Sequence, residues 1–532
     1  MKTFARSFLL LLLPCSIAMA QGAAPTGFRA LHVDAGKVIG EIHDFQGLNG
    51  QPTPVMAGLP NLVRQYRELR ISLVRTHDMM GPTDIEAKFD YNNIWQEWLI
   101  PDDQARKGAV EAGNKHVIFP DMKADPEKPE SYNFAATDEV MAAIHESGAK
   151  VYYRIGRSWG AQAEPPADFD RFASVVKHTA MHYNHGWAHG FHYGIQYWEF
   201  WNEPGDVFWT GTPEQFYQLY EKTARALKSV DPELKIGGPA IADPSHASPY
   251  REGLLDYCTA HKVPFDFYSW HTYAIGSADP YDGVRLAQNF RKLLDARGYT
   301  HAESVLSEWN LTPDFTEGEK AELQGEHNAA FIGAALTYYQ DAPLDRAIFY
   351  RGDATWMGLF DLQGKYFKTA YTFKAMGEML DTPRRVSVEG ADTIGFAALA
   401  GRSADDKTVQ VLLSNYEIPA GYKGKEMTLT PALKEMFKKA EAEEAKKPKT
   451  DTPAPVEELP QRTGIVYHDN AGYNLTVDNL PWGKAAFTVK RYRLSKTQNL
   501  ELVEQTAGSG GSLKLSQAFA PDTVELIVLN RK

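Results

Sequence analysis

The sequence predicts a (β/α)8 TIM barrel with an accessory antiparallel β-sandwich domain, and three observations predict it. Eight short apolar runs alternate with helix-period segments between residues 43 and 382. No glycine-rich nucleotide loop follows the first run, which disfavours the main competitor, a doubly wound open sheet. Past Pro383 the helical period gives way to alternation, as in 409–413 and 487–494.

From the N-terminus, residues 1–20 read as a secretory signal peptide. Lys2 and Arg6 precede an apolar run over 8–13, and Ala18-Met19-Ala20 offers a small-x-small cleavage site. The run is too short to span a bilayer, and no later one is long enough. Pro14 stands where a lipoprotein signal at Cys15 would need a small residue. The expected location is secreted or periplasmic. Residues 21–42 should pack on the β domain and add a strand to it.

The expected barrel strands are 44–48, 73–77, 150–155, 197–202, 234–238, 267–271, 304–309 and 347–350. The helix after the fourth is the best signalled. Thr212-Pro213-Glu214-Gln215 is a capping box with proline in the first turn, and Phe216, Leu219, Tyr220, Thr223, Leu227 and Val230 share one face. Phe169, Phe172, Val175 and Val176 do the same before the fourth strand. Residues 79–134, with Tyr91, Trp95 and Trp98, are too long for a simple loop and read as an excursion over the barrel mouth. The domain over 383–532 carries an insertion at 434–460, rich in Lys, Glu, Ala and Pro, expected as a charged helix and solvated linker.

Charge and cysteine content narrow the function classes. The formal charge of −12 moves to −14 when Lys2 and Arg6 leave, which argues against nucleic acid or an anionic membrane as partner. Removal of Cys15 leaves Cys258 alone, so no intramolecular disulfide is expected. Cys258 reads as a small buried hydrophobe. Nothing sets an oligomeric state, and a monomer is the simplest expectation.

The chemistry concentrates at two strand ends. The apolar run 195–201 ends in Asn202-Glu203-Pro204, where Pro204 has no N–H for a ladder. A carboxyl group among Trp198 and Trp201 is poorly solvated when charged, so its pKa should rise toward that of a proton donor near neutrality. Ser307-Glu308-Trp309-Asn310 repeats the pattern at the seventh strand. Two carboxylates across one barrel mouth suit glycoside hydrolysis, retaining at a separation of about 5–5.5 Å and inverting at a larger one. Each glutamate alone is equally readable as a structural ion-pair member.

These motifs carry a resemblance. Glu203 in Asn-Glu-Pro and Glu308 in Ser-Glu-Trp resemble the retaining (β/α)8 glycosidase clan. Trp198 to Pro204, Trp270-His271-Thr272-Tyr273 and Arg75-Thr76-His77 resemble glycoside hydrolase family 39, the β-xylosidase and α-L-iduronidase family. The resemblance implies Glu203 as acid/base and Glu308 as nucleophile, and an oligosaccharide as substrate with no cofactor. It also implies that Asn202 holds the sugar 2-hydroxyl, His77 and His271 bind other hydroxyls, and Tyr273 orients Glu308. Arg75 is expected beside Glu308, keeping it ionised, with an internal barrel salt bridge as the alternative. Trp201, Trp270 and Trp309 are candidates for sugar stacking, with barrel packing expected for at least one.

The chain departs from the family at the eighth strand. Where β-xylosidases of this kind place a Trp and two adjacent glutamates, it has Tyr350-Arg351-Gly352-Asp353-Ala354-Thr355-Trp356. Tyr350, Arg351 and Asp353 are therefore candidate sugar contacts, and Arg351 could meet a uronate carboxylate. Arg351 paired with Asp353 or Glu308 is the alternative. His178, His182, His185, His189 and His192 recur near helical spacing and open a metal-binding reading, but they lead into the opposite end of the fourth strand. No metal is expected. The favoured function is a retaining exo-glycosidase, most directly a β-D-xylosidase. A uronate-processing or other β-glycosidase is the alternative, and a carbohydrate-binding relic the non-enzymatic one.

Overall fold

A computed structural model describes residues 27–54, 59–92, 103–205, 208–242, 247–274, 278–311, 317–355, 357–419, 462 and 470–532. The signal-peptide reading of 1–20 with Cys15, Trp95, Trp98, Trp356 and the insertion 434–460 lie outside the described residues.

The first strand, β1 (Phe28–Glu41), belongs to the β domain. Eight parallel strands then close into a barrel: β2 (Gly47–Asn49), β3 (Leu73–Arg75), β4 (Lys150–Ile155), β5 (Tyr197–Phe200), β6 (Lys235–Ile241), β7 (Phe267–Tyr273), β8 (Glu303–Asn310) and β9 (Arg346–Phe349). Closure is made by β2 on β9, in the register Gly47↔Ile348. Every expected barrel strand has its counterpart, and the open-sheet alternative falls. The helix Pro213–Val230 starts with the expected box: Thr212 Oγ1 accepts from the Gln215 N–H, and the Gln215 side chain accepts from the Thr212 N–H.

The barrel interior is layered. Leu73, Tyr152, Tyr197, Phe267, Val305 and Ile348 fill the end where the strands begin. Above them the filling turns polar, with Arg75 and Glu199 both fully buried. That polar layer is the floor of the mouth where the strands end. The excursion after β3 contributes the helix Asp103–His116 and a small core of Phe89, Val110 and Val117.

The second domain is one nine-stranded sheet: β1 with β10 (Arg384–Glu389), β11 (Phe396–Arg402), β12 (Thr408–Asn415), β13 (Gly472–Asp478), β14 (Phe487–Ser495), β15 (Gln498–Gly508), β16 (Leu513–Ala518) and β17 (Thr523–Arg531). Residues from β13 and from β14, far apart in strand order, share one apolar cluster, so the sheet curls over to make its own sandwich. All pairings are antiparallel except β1 on β13. The direction of β1 is set by its exit into the barrel. Glu41 pairs with Arg384, and Ile42 N–H donates to Pro383 O at 2.8 Å, so both chain crossings between domains lie side by side.

The buried helix Glu326–Tyr339 joins the two domains. Its small residues allow close approach: a Cβ on Gly333 would stand 3.0 Å from Ser414 Oγ, while that hydroxyl donates to Ala330 O at 2.7 Å. Cys258 is buried in the helix Leu254–His261. No helix among the described residues is long and apolar enough to cross a membrane.

Candidate active site

Two local distortions aim the glutamates. After β5 the chain turns sharply, with Trp201 at φ 68° and Glu203 at φ 44°, a left-handed region that bulky residues avoid. Packing holds it there. Trp201 N–H donates to Ile155 O at 2.8 Å, Glu203 N–H to Ala240 O at 3.0 Å, and Trp201 Nε1 to Phe208 O at 3.0 Å. The second distortion is a register slip between β7 and β8: Trp270 pairs with Leu306, but His271 pairs with Glu308. Such a bulge re-aims side chains, and here it sets His271 beside Glu308.

The resulting cluster is compact. One carboxylate oxygen of Glu203, one of Glu308 and a ring nitrogen of His271 lie within 4.8 Å of one another. Glu308 Oε1 accepts from Arg75 Nη1 at 2.6 Å and faces His77 Nε2 at 3.1 Å, and Oε2 accepts from Tyr273 OH at 2.8 Å. Arg75 also donates through Nε to Glu199 Oε2 at 2.5 Å, through Nη1 to Asn49 Oδ1 at 2.9 Å and through Nη2 to Asn202 Oδ1 at 2.7 Å. Asn202 is thereby tied to the same cation as Glu308. Both readings of Arg75 hold together: it is an internal barrel ion pair with Glu199 and a direct partner of Glu308.

The electrostatics of the two glutamates differ in cause. Burial pushes the Glu203 carboxyl up to about 7, against the pull of Arg75 and with help from Asp78. Burial also raises Glu308, opposed by His271 and Arg75. Glu308 has direct donors from Arg75 and Tyr273, which favour its charged form. Burial lowers His271 to about 4 and, with Arg75 and Arg154, takes His77 well below its usual range, so both imidazoles are neutral at pH 7.

The eighth-strand candidates form a chain of their own. Tyr350 OH donates to Asp78 Oδ2 at 3.0 Å, Arg351 Nη1 donates to Tyr350 OH at 3.0 Å, and Arg351 Nη2 pairs with Asp353. Thr355 Oγ1 donates to Asp353 Oδ1 at 2.8 Å. Arg351 and Asp353 are both buried. Of the two readings, the structure shows the internal Arg351–Asp353 pair.

The histidine and tryptophan candidates are engaged within the protein. His77 and His271 are buried, 2 % and 0 % exposed, and are engaged with the carboxylates. Trp201, Trp270 and Trp309 are all barrel packing: Trp201 meets Trp209 edge-on, Trp270 stacks on Phe290, and Trp309 meets Tyr339 and Phe349 edge-on. His178 Nδ1 bonds Ser174 O at 2.9 Å, while His182 bonds Trp187 O at 2.8 Å and Asp138 at 3.1 Å. These histidines do not converge. Glu203, His271 and Glu308 have the spacing of a cation site, but the Arg75 guanidinium 2.6 Å from Glu308 already occupies that charge.

Sequence reasoning missed Asp78, Glu199 and Asn49. Asp78 takes Trp159 N–H at 3.1 Å and lies 3.1 Å from His77. Strand alternation points it away from His77, and only its left-handed φ of 56° turns it back. Glu199 was legible from parity, since it stands two residues after the inward Tyr197 on one short strand and so shares its face.

Comparison with known proteins finds similar chains among glycosidases. The family model "Glycosyl hydrolases family 39" matches residues 116–288. A β-xylosidase of Geobacillus stearothermophilus is 30% identical over 176 residues, 29% of this chain and 33% of that enzyme, so the match spans about a third of that relative's length. A glucosidase structure from Croceicoccus marinus is similar along nearly the whole chain, with 32% identity, TM-score 0.76, and coverage of 95% of this chain and 99% of that one. A monomeric β-xylosidase from Caulobacter crescentus CB15 shares the fold at TM-score 0.64 and 15% identity, covering 94% of this chain and 99% of that one.

Proposed function

This chain belongs to glycoside hydrolase family 39, and from that premise we propose that it is a retaining exo-glycosidase cleaving β-D-xylosides of short oligosaccharides. The observation that carries the reading is the pair Glu203 and Glu308, with carboxylate oxygens within 4.8 Å across the barrel mouth. That gap suits direct attack on the sugar and is short for an intervening water, since inverting enzymes keep about 6.5–9.5 Å.

Glu203, with its carboxyl raised to about 7, protonates the glycosidic oxygen as the bond to the anomeric carbon breaks. Glu308, charged against Arg75 and aligned by Tyr273, attacks that carbon to give a glycosyl-enzyme. Glu203, now a carboxylate, takes a proton from water, which displaces Glu308 and releases the sugar with its configuration kept. Asn202, fixed through Arg75, presents its amide to the sugar.

A glucoside is the second reading, favoured by the full-length likeness to a glucosidase. A uronide is less well served, because the Arg351 charge is already met by Asp353. A panel of nitrophenyl glycosides tests these readings. Wild type should prefer the xyloside or the glucoside, and Glu308→Ala should abolish turnover. Azide should restore Glu203→Ala with a β-glycosyl azide as product. Near wild-type hydrolysis by Glu308→Ala would sink the mechanism, and no turnover by wild type on any glycoside would favour a binding relic.

A further inference from the structure

The base of the barrel, opposite the mouth that holds the glutamates, carries an uneven charge. Below the apolar layer of Tyr152, Tyr197, Val305 and Ile348, the next inward positions are Lys150 of β4, Lys235 of β6, Glu303 of β8 and Arg346 of β9. Lys150, Glu303 and Arg346 stand two residues before the inward Tyr152, Val305 and Ile348, and Lys235 is in register with Tyr197. Three cations thus share this end with one carboxylate. Glu303 is already engaged, paired with Lys235 and accepting from Tyr197 OH at 2.8 Å. Arg346 is left with a hydroxyl: its Nη2 donates to Tyr197 OH at 3.2 Å, and its buried Nε has no hydrogen-bond partner among the described residues. Neither Arg346 nor Lys150 forms a salt bridge among the described residues.

A cavity of about 580 Å3 opens beside these two cations, within the range of small-molecule sites, and Ser72, Gln196 and Asp44 also line it. The nearby acids have other partners: Asp44 Oδ1 accepts from Gln46 N–H at 3.0 Å, and Asp345 Oδ2 accepts from Ser304 N–H at 2.8 Å. The rings in the wall are already stacked, Tyr193 with Phe191 and His145, and Tyr197 with Tyr152. Charge, rather than an open aromatic face, is what the cavity offers a ligand. We propose that it is an anion site for a small molecule bearing a carboxylate or phosphate group, with the oxyanion held by Arg346 and Lys150. A partly desolvated guanidinium without a counter-ion is costly, and its donors suit an oxyanion. Lys150, exposed at the entrance, draws anions toward it. The site lies on the face away from Glu203 and Glu308 and does not rest on the glycosidase reading.

Isothermal titration with inorganic phosphate, D-glucuronate and, as the neutral control, D-glucose tests the site. Wild type should bind at least one of the two anions at one per chain and bind glucose at least about tenfold more weakly. Arg346→Gln should weaken the anion about tenfold or more, the scale of a charge-assisted hydrogen bond. Lys150→Gln should weaken it by up to about fivefold, as for an exposed charge. Lys150→Glu, also an exposed change, should abolish binding, and it decides the matter if Arg346→Gln does not fold. Hydrolysis of a nitrophenyl glycoside without added anion should be unchanged in Lys150→Gln. Binding of phosphate alone identifies a phosphate ligand, binding of glucuronate alone a carboxylate, and binding of both the shared oxyanion. No binding of either anion by wild type, glucose bound as tightly as glucuronate, or an affinity unmoved by Lys150→Glu overturns the proposal.

Discussion

Arg75 Nη1 lies 2.6 Å from Glu308 Oε1, with the guanidinium wholly out of water and the carboxylate nearly so. The same guanidinium bonds Glu199 at 2.5 Å, so one cation serves a structural and a candidate catalytic carboxylate. Lysine offers a point charge and cannot reproduce the fork that also reaches Asn49 and Asn202. Arg75→Lys should therefore lower stability by about 3–5 kcal/mol, the usual cost of breaking a buried ion pair. Thermal unfolding measures it, and an unchanged Tm would show that the barrel interior re-solvates Glu199.

The pH dependence of activity should follow Glu203. An acid must be protonated to donate, and burial keeps this carboxyl protonated up to about 7. For a substrate with a poor leaving group, kcat/KM should hold below that value and fall about tenfold per unit above it. Wild-type profiles on a phenyl glycoside and on a dinitrophenyl glycoside, whose leaving group departs without protonation, check the assignment. A basic limb of equal size on both substrates belongs to another group.

Much of this site was written in local sequence, and the remainder depends on backbone geometry. Glu203 and Glu308 were legible because apolar strands end abruptly at each, and counting strands put both tips on one face. The Arg75 pairing followed from its place on the second barrel strand. His271 was visible as a residue but not in its orientation, which a register slip against β8 decides. Asp78 was hidden by a positive φ, and the Arg351–Asp353 pair could not be told from a free guanidinium without its distances. In the β domain the alternation gave the strands, but the parallel β1–β13 pairing arises from residues more than 440 apart in sequence, as Phe28 with Gly472.

Asp353 controls whether Arg351 presents its charge. Asp353→Asn removes the partner carboxylate and leaves the Arg351 cation next to Tyr350 at the mouth. Activity on an aryl uronide relative to the neutral xyloside should rise by roughly tenfold, the scale of one charge-assisted hydrogen bond. Paired kcat/KM values for both substrates provide the measurement. If the ratio does not move, Arg351 is too deep to reach a sugar carboxylate.

Glu203 should also cost stability at alkaline pH. Its folded pKa, about 7, exceeds the ordinary 4.5, so the folded chain holds the proton more tightly than the unfolded one. Its contribution is fully favourable below about 4.5 and is lost as pH rises through 7. Above that, burying the charge costs about 2–3 kcal/mol, allowing for the 19% exposure of the side chain. Glutamine cannot ionise, and its amide can still hydrogen-bond His271 Nδ1 in the place of the carboxyl group. Glu203→Gln should therefore match wild type near pH 4.5 and exceed it by about 2–3 kcal/mol at pH 8. Denaturant unfolding at both values reads the difference directly, and a gap that stays constant with pH would show that Glu203 is solvated in the folded state.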